Sequence, residues 1–242
     1  MAVTYRQMLN RVLRTLGEDE IGASVVELTT DYDKLVGNFL NQIKEEIEDA
    51  TNWRSLRNVL TATIAVDALS GTVVGSNERS RILRGDEVTW AGARGLGFTP
   101  LVFDVTDSNS PTALRELELT DLLYRDTIDP TTRTSADVQF FAVDDRGGDE
   151  LTIHVWPRPS TERTLSAIMV VPQARLTDTD LDTVIVIPTR ALEVGTLWYA
   201  LEERGEELGI NALFSEERYR NALNDAVSRD TAEQGGIDLV LV

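Results

Sequence analysis

The stretch Trp53–Val66 reads WRSLRNVLTATIAV, and within it the spacing of apolar residues changes from the helical period to a period of 2. Leu60, Ala62, Ile64 and Val66 alternate with Thr61, Thr63 and Ala65, which is the pattern of a half-buried strand. Upstream, two segments read as helix. Tyr5, Met8, Leu9, Val12, Leu13 and Leu16 recur at steps of three and four, with Thr4 placed as N-cap and Gly17 as C-cap. Residues 18–30 read as a loop. A longer helix then spans Asp31 to Asn52, with Tyr32, Leu35, Val36, Phe39, Leu40, Ile43 and Ile47 as its apolar face. Its opposite face carries Lys44, Glu45, Glu48 and Asp49.

Downstream the chain reads as short strands separated by Gly, Pro and Asp. The candidates are Arg81–Trp90, Pro100–Val105, Leu114–Thr120, Val138–Val143, Leu151–Trp156, Thr164–Val171 and Thr183–Ile187. The segment Glu118–Asp126, ELTDLLYRD, fits a strand or a short helix equally well. After Pro188 the helical period returns, with a helix to about Glu207 buried through Ala191, Leu192, Val194, Gly195, Leu197, Trp198 and Leu201. A last helix is expected from Ser215, its N-cap, to Asp230, with Tyr219, Ala222, Leu223, Ala226 and Val227 as its stripe. Gln234-Gly235-Gly236 reads as flexible. The apolar, strand-like Ile237–Val242 either closes a sheet of its own chain or pairs with a partner.

The fold class that follows is α+β: a bundle of N- and C-terminal helices with an inserted antiparallel β-sandwich or small barrel. The expected boundaries are 1–56 and 188–230 for a discontinuous helical bundle, 57–187 for the β-rich domain, and 231–242 for an extended arm.

Charge and composition narrow the function. The 242 residues carry 41 acids against 23 bases, a net −18, which argues against primary duplex binding through clustered Lys and Arg. Only Lys34 and Lys44 are lysines, so the other 21 bases are arginines. Arginine suits subunit interfaces through bidentate carboxylate contacts, although an Arg-biased genome explains the count as well. No apolar run approaches the roughly 20 residues of a membrane span, and no signal-like start is seen, so the chain is expected to stay in the cytoplasm where it is made.

Catalytic and metal motifs fail one by one. The chain has no cysteine and a single histidine, His154, read as a strand-surface residue on the face of Thr152 and Trp156. Asp178-Thr179-Asp180-Leu181-Asp182 starts like a calcium loop, but Thr183 and Thr189 stand where the pattern needs Gly and Glu. Gly92, Gly95 and Gly97 suggest a phosphate cradle, but Gly95-x-Gly97-x-x-Pro100 has Pro where the third glycine belongs and no helix follows, leaving a loop whose Arg94 is available to a partner. Carboxylates are abundant without one pair set apart. No cofactor, no metal and no catalytic activity are expected.

Three stretches, in order, carry a resemblance. The first is Met8–Glu18 (MLNRVLRTLGE) followed by the long helix ending in Asn52-Trp53-Arg54. The second is Leu151–Pro159 (LTIHVWPRP), a strand, then Pro172–Asp180 (PQARLTDTD) and Ile187-Pro188. The third is Arg204-Gly205-Glu206-Glu207 followed by Tyr219–Asp230 (YRNALNDAVSRD). Together they resemble the head-to-tail adaptor, or connector, proteins of tailed bacteriophages, including the tail tubular protein A-like group.

The resemblance implies a homo-oligomeric ring, usually of twelve subunits, docked beneath the portal protein with a tail or nozzle protein below. It further implies helices near the portal, the β-rich part toward the tail, and a channel through which double-stranded DNA passes without sequence-specific binding. No membrane is involved. The residues taken as candidate partner contacts are Ile237, Leu239, Val240, Leu241 and Val242 in the tail, with Arg204, Glu206, Tyr219 and Arg220. Competing readings are another tail-completion or baseplate protein, a virion-borne glycan hydrolase, which needs a cleft with two convergent acids, and a generic binding module.

Overall fold

The computed structural model describes residues 2–84, 87, 101–107, 110–128, 134–135, 137–144, 150–205 and 210–236. In chain order the elements are β1 (Val3–Thr4), α1 (Tyr5–Thr15), α2 (Asp31–Ala50), β2 (Arg57–Ile64), β3 (Ser70–Thr72), β4 (Arg81–Ile82) and β5 (Val102–Asp104). They continue with β6 (Thr112–Ala113), β7 (Arg115–Glu116), α3 (Leu119–Ile128), β8 (Thr134–Ser135), β9 (Phe140–Asp144), β10 (Thr152–Trp156) and β11 (Arg158–Pro159). The last are β12 (Arg163–Val170), β13 (Val184–Ile185), α4 (Thr189–Glu203) and α5 (Ile210–Gly236). The chain is α+β and forms two compact units, one of Met1–Leu56 with Gln173–Val242 and one of Arg57–Pro172.

In the helical unit, α1 begins with a capping box. Gln7 N–H donates to the Thr4 hydroxyl at 3.3 Å, and Thr4 N–H donates to Gln7 Oε1 at 3.1 Å. Its far end closes at Gly17, whose φ of +75° favours glycine. Tyr5, Met8, Leu9, Val12 and Leu13 are all buried, worth about 1.5–3 kcal/mol apiece before entropy is subtracted.

Helix α2 starts behind Thr30, whose hydroxyl accepts from Asp33 N–H at 3.0 Å. It is buried on more than its apolar face. Lys44 and Glu48, on the face opposite the apolar stripe, are fully buried, because the extended segment after Pro172 lies along that side of α2. Asn41 Nδ2 donates to Leu176 O at 2.8 Å, and Leu176 N–H donates to Asn41 Oδ1 at 2.9 Å. Lys44 Nζ donates to Gln173 O at 2.6 Å, and Gln173 N–H donates to Glu48 Oε1 at 3.1 Å. Three side chains at positions i, i+3 and i+7 therefore satisfy the backbone of a segment with no strand partner there.

The expected strand Thr183–Ile187 shrinks to β13, which pairs antiparallel with β1 in the helical unit. Helices α4 and α5 pack on each other, and α4 packs on α1 and α2. Gly195 of α4 makes the closest approach: a Cβ there would lie 2.7 Å from Ile43 Cγ2 and 2.9 Å from the Tyr219 ring. Helix α5 is longer than its stripe predicted, beginning at Ile210 and running through Gly236, so Ser215 lies inside the helix and is no N-cap. Ala and Glu are good helix formers, and extending an existing helix costs far less than nucleating one. Residues 231–236 of the expected extended arm are thus helical.

In the β-rich unit two sheets share one core. One has the order β3-β10-β9-β7, and the other β2-β12-β5-β6 with β4 also on β12. Strand β2 pairs with β12 over its full length, from Arg57↔Val170 to Ile64↔Arg163. Ala62, Ile64, Leu165, Ala167 and Met169 from one sheet meet Phe141, Ile153 and Val155 from the other. Leu114, between β6 and β7, is buried where the chain passes from one sheet to the other. The two sheets are antiparallel, as expected, apart from the short parallel pair β7–β9, and the separate two-stranded pair β11–β8 is also parallel. The ambiguous ELTDLLYRD segment is helix α3, held by buried Leu122 and by Asp126, which takes a bidentate bond from Arg158 at 2.7 Å on both oxygens. Of the candidate strand Arg81–Trp90 only β4 is seen, and residues 85–86 and 88–90 lie outside the described residues.

Candidate partner interface

In the helical unit the three stretches of the sequence resemblance converge on one groove of about 400 Å³. Trp53 comes from the end of the first, Ile187 and Pro188 from the second, and Asp225, Arg229 and Asp230 from the third. Trp53 and Ile187 are buried, and Trp53 Nε1–H donates to Ile47 O at the end of α2. Arg54 N–H donates to Asp230 Oδ1 at 3.4 Å, tying the chain after α2 to α5. Helix α4 opens beside the groove behind Pro188, which makes no side-chain capping bond, and its first turn contains no acid. Arg190 stands in that turn and Arg229 faces it from α5. Neither pairs with a carboxylate among the described residues.

A second surface of the unit is aromatic. Tyr199 meets Phe39 edge-on at 6.0 Å and Trp198 at 5.0 Å, and Trp198 stacks on Tyr219 at 5.9 Å. Tyr199 Oη–H donates to Glu46 Oε1 at 3.0 Å, and Tyr219 Oη–H donates to Glu46 Oε2 at 3.2 Å. Burial, then the Glu46 hydrogen bond and charge, push the Tyr199 hydroxyl up to about 12. Burial and the same carboxylate also raise Tyr219.

The residues selected from sequence divide three ways. Tyr219 is buried in its own chain between Glu46, Trp198 and Gly195. Arg204, just past α4, is engaged within its own chain. It donates to Tyr32 Oη at 2.7 Å, to Leu16 O at 3.1 Å and to the Glu18 carboxylate, with its guanidinium 4.7 Å from the Tyr32 ring centre. Arg220 projects into solvent and pairs with Glu216 one turn earlier. Glu206 and Ile237, Leu239, Val240, Leu241 and Val242 lie outside the described residues, as do Gly92, Arg94, Gly95 and Gly97. Sequence reading missed Arg190 and the Phe39–Trp198–Tyr199 cluster, although Phe39 and Trp198 had been placed on buried helix faces.

The acidic turn is structural. Thr177 donates to Asp180 Oδ2 through both its N–H and its hydroxyl at 2.7 Å, which holds the Asp180 carboxyl below its ordinary range. Asp182 pairs with Arg6 at 3.3 Å and Asp178 with Lys34 at 3.5 Å. No group of three or more His, Asp or Glu fit to hold a metal occurs among the described residues. His154 is half-buried on β10, 3.8 Å from Asp144. The β-rich unit has a polar cleft of about 650 Å³, where Arg163 lies between Asp104 at 3.3 Å and Asp137 at 3.8 Å. Among the described residues no helix is long and apolar enough to cross a membrane.

No curated protein matches the sequence. A comparison with protein families matches residues 3–237 to the family described as SU10 adaptor protein. The match spans both units and all three stretches, and the chain therefore belongs to the SU10 adaptor family of phage head-to-tail adaptor proteins.

Proposed function

We propose that the chain is a ring-forming head-to-tail adaptor that joins the portal to the tail and continues the DNA exit channel. The observation that carries this reading is the family match from residue 3 to residue 237. The protein is a structural virion part without catalysis. Twelve copies form the ring, as the family resemblance implies, with the portal on one side and a tail or nozzle protein on the other.

Electrostatics supports the channel role. A net charge of −18 repels DNA phosphates, so an acidic lumen lets the duplex slide without sticking. Exposed Arg220 and the chain after Gly236 are the contacts offered to neighbours, while buried Tyr219 and anchored Arg204 shape the surface from behind.

The test is electron microscopy of the purified protein with and without the portal of its own phage. A ring of fixed subunit number seated on the portal is the expected result. A monomer that ignores the portal in both samples overturns the reading, and a protein that binds only tail-end components makes it a tail-completion or baseplate part.

A further inference from the structure

We infer that helix α3 of one copy docks on the outer face of strands β2 and β12 of the next copy. This rests on the adaptor-ring reading and deepens it, naming one contact by which neighbouring subunits meet.

Helix α3 has two unlike sides. With Leu122 and Asp126 buried it packs on β9 and β10, and its Arg125 guanidinium lies 5.3 Å from the Phe140 ring centre and 5.5 Å from that of Trp156. The other side carries Thr120, Leu123, Tyr124, Thr127 and Ile128, at i, i+3, i+4, i+7 and i+8. All five are exposed, Tyr124 at 63% and Ile128 at 56%, and none is charged. A helix side turned to water is ordinarily polar and charged, whereas apolar anchors at this spacing are how a helix docks on an apolar surface. The Thr120 hydroxyl donates to Glu118 Oε1 at 3.1 Å and the Thr127 hydroxyl to Leu123 O at 2.9 Å. Both hydroxyls are satisfied within the chain, so the side can be covered without stranding a donor.

The other sheet offers a surface of the same character. Ala62 and Ile64 of β2, with Leu165 and Ala167 of β12, belong to the core, so Val59, Thr61, Thr63, Thr164 and Ser166 lie on the outer face. Val74 extends it beside β2, its N–H donating to Thr61 O at 3.2 Å. Val59 is 65% exposed and Val74 69%. These six positions hold no charge, in a chain of which charged residues make up 26%. The first sheet has α3 packed over it, but among the described residues no helix covers exposed Val59, Thr61 and Thr63. A sheet face of this kind is completed by a second layer, and α3 is the only helix of the β-rich unit among the described residues.

Charge selects a second copy as the occupant. Two chains of net −18 repel wherever their acids face each other, so identical subunits meet best through surfaces without charge. A basic partner would be drawn to the acids elsewhere and gains nothing from Val59 or Tyr124. The two surfaces also sit on different sheets around one core, whose outer faces are turned away from each other. They cannot meet within one chain. Joined between copies, they make a head-to-tail contact that leaves one surface of each kind free at the ends, and repetition of such a contact closes a ring.

The absence of native cysteine makes the test clean. Full chains carrying both Thr127→Cys and Thr61→Cys, at exposed positions, are treated with a short bismaleimide, alone and with the portal, and separated by denaturing electrophoresis. Portal binding is measured in parallel. A ladder of covalent multimers is expected, and a dimer alone when chains carrying one cysteine each are mixed. Adding Tyr124→Asp, or Val59→Asp, places an unpaired charge in the contact and lowers the multimer yield by about tenfold or more, with the circular dichroism unchanged. No ladder in either sample overturns the inference, as does a product formed only within one chain. A Thr127→Cys chain that couples to itself makes the contact α3 on α3, and one that couples to the portal assigns α3 to that partner; both overturn it. So does a ladder indifferent to the two aspartates. Portal binding without the ladder sinks this contact alone, whereas a ladder without portal binding sinks the adaptor reading alone.

Discussion

Lys44 and Glu48, one helical turn apart on α2, form a salt bridge of 3.0 Å in which neither side chain is exposed to solvent. A buried ion pair of this kind is tolerable only when the remaining polar valences are met. Here Gln173 meets them, giving its carbonyl to Lys44 and its N–H to Glu48. The pair acts as a clamp that fixes where the chain re-enters the helical unit, and the Asn41–Leu176 pair repeats the device three residues further on.

Removing one member strips the other buried charge of its counterion at 3.0 Å. Lys44→Met is expected to destabilise the helical unit by about 3–5 kcal/mol. The double variant Lys44→Met, Glu48→Met removes both charges and recovers part of that loss. It stays destabilised by about 1–3 kcal/mol because the Gln173 backbone groups lose their partners. Hydrogen exchange distinguishes the two effects: in the double variant the Gln173 amide loses protection while the Leu176 amide, bonded to Asn41, keeps it. A double variant as stable as the parent contradicts the clamp.

Gly195→Ala sets two effects of known sign against each other. In an exposed helix the change stabilises by about 1 kcal/mol. At position 195 the added Cβ meets Ile43 Cγ2 at 2.7 Å and the Tyr219 ring at 2.9 Å, an overpacking expected to cost about 1–3 kcal/mol. A net loss in urea denaturation is predicted, reduced when Ile43→Ala is combined with it, since one of the two contacts is then gone. A stabilised Gly195→Ala protein shows that the helices do not approach this closely.

These two sites also mark where sequence reading stopped. Period alone located α1, α2 and α4, because one stripe of each faces a core built by its neighbours. The same reasoning set Lys44 and Glu48 opposite the apolar face without showing their burial, since nothing local announces that a segment some 125 residues later will cover them. The two-residue strands β6, β8 and β11 carry no alternation to detect, and α3 was decided by Arg158 reaching Asp126 from a distant strand. The groove was legible only in part. Its residues lay at the ends of three quoted stretches, but their convergence is a property of how α4 and α5 pack.

Tyr199 and Tyr219 share Glu46, and both hydroxyls are held above the ordinary tyrosine value of 10.0 by burial first and by Glu46 second. A folded-state pKa above the unfolded one means that the fold favours the protonated hydroxyls. Their contribution to stability is therefore complete below pH 10 and is lost as the pH rises, for Tyr199 through about 12. Glu46→Gln removes the charge and is expected to move the Tyr199 transition back toward 10, read as tyrosinate absorbance. An unchanged titration curve rules out Glu46 as the common acceptor.

Arg204 binds three acceptors from two other parts of the unit: the C-terminal carbonyl Leu16 O, the Glu18 carboxylate and the Tyr32 hydroxyl. Its guanidinium also lies over the Tyr32 ring. A planar fork can bond in several directions while stacking, whereas an ammonium on a flexible stem cannot do both. Arg204→Lys is therefore expected to lose nearly as much stability as Arg204→Ala, about 1–3 kcal/mol in each case. Hydrogen exchange in residues 16–32 should rise in both variants, with the capping amides at the start of α1 left unchanged. If Lys restores the parent's stability, charge alone holds the end of α4, and the three-acceptor geometry is not what fixes it.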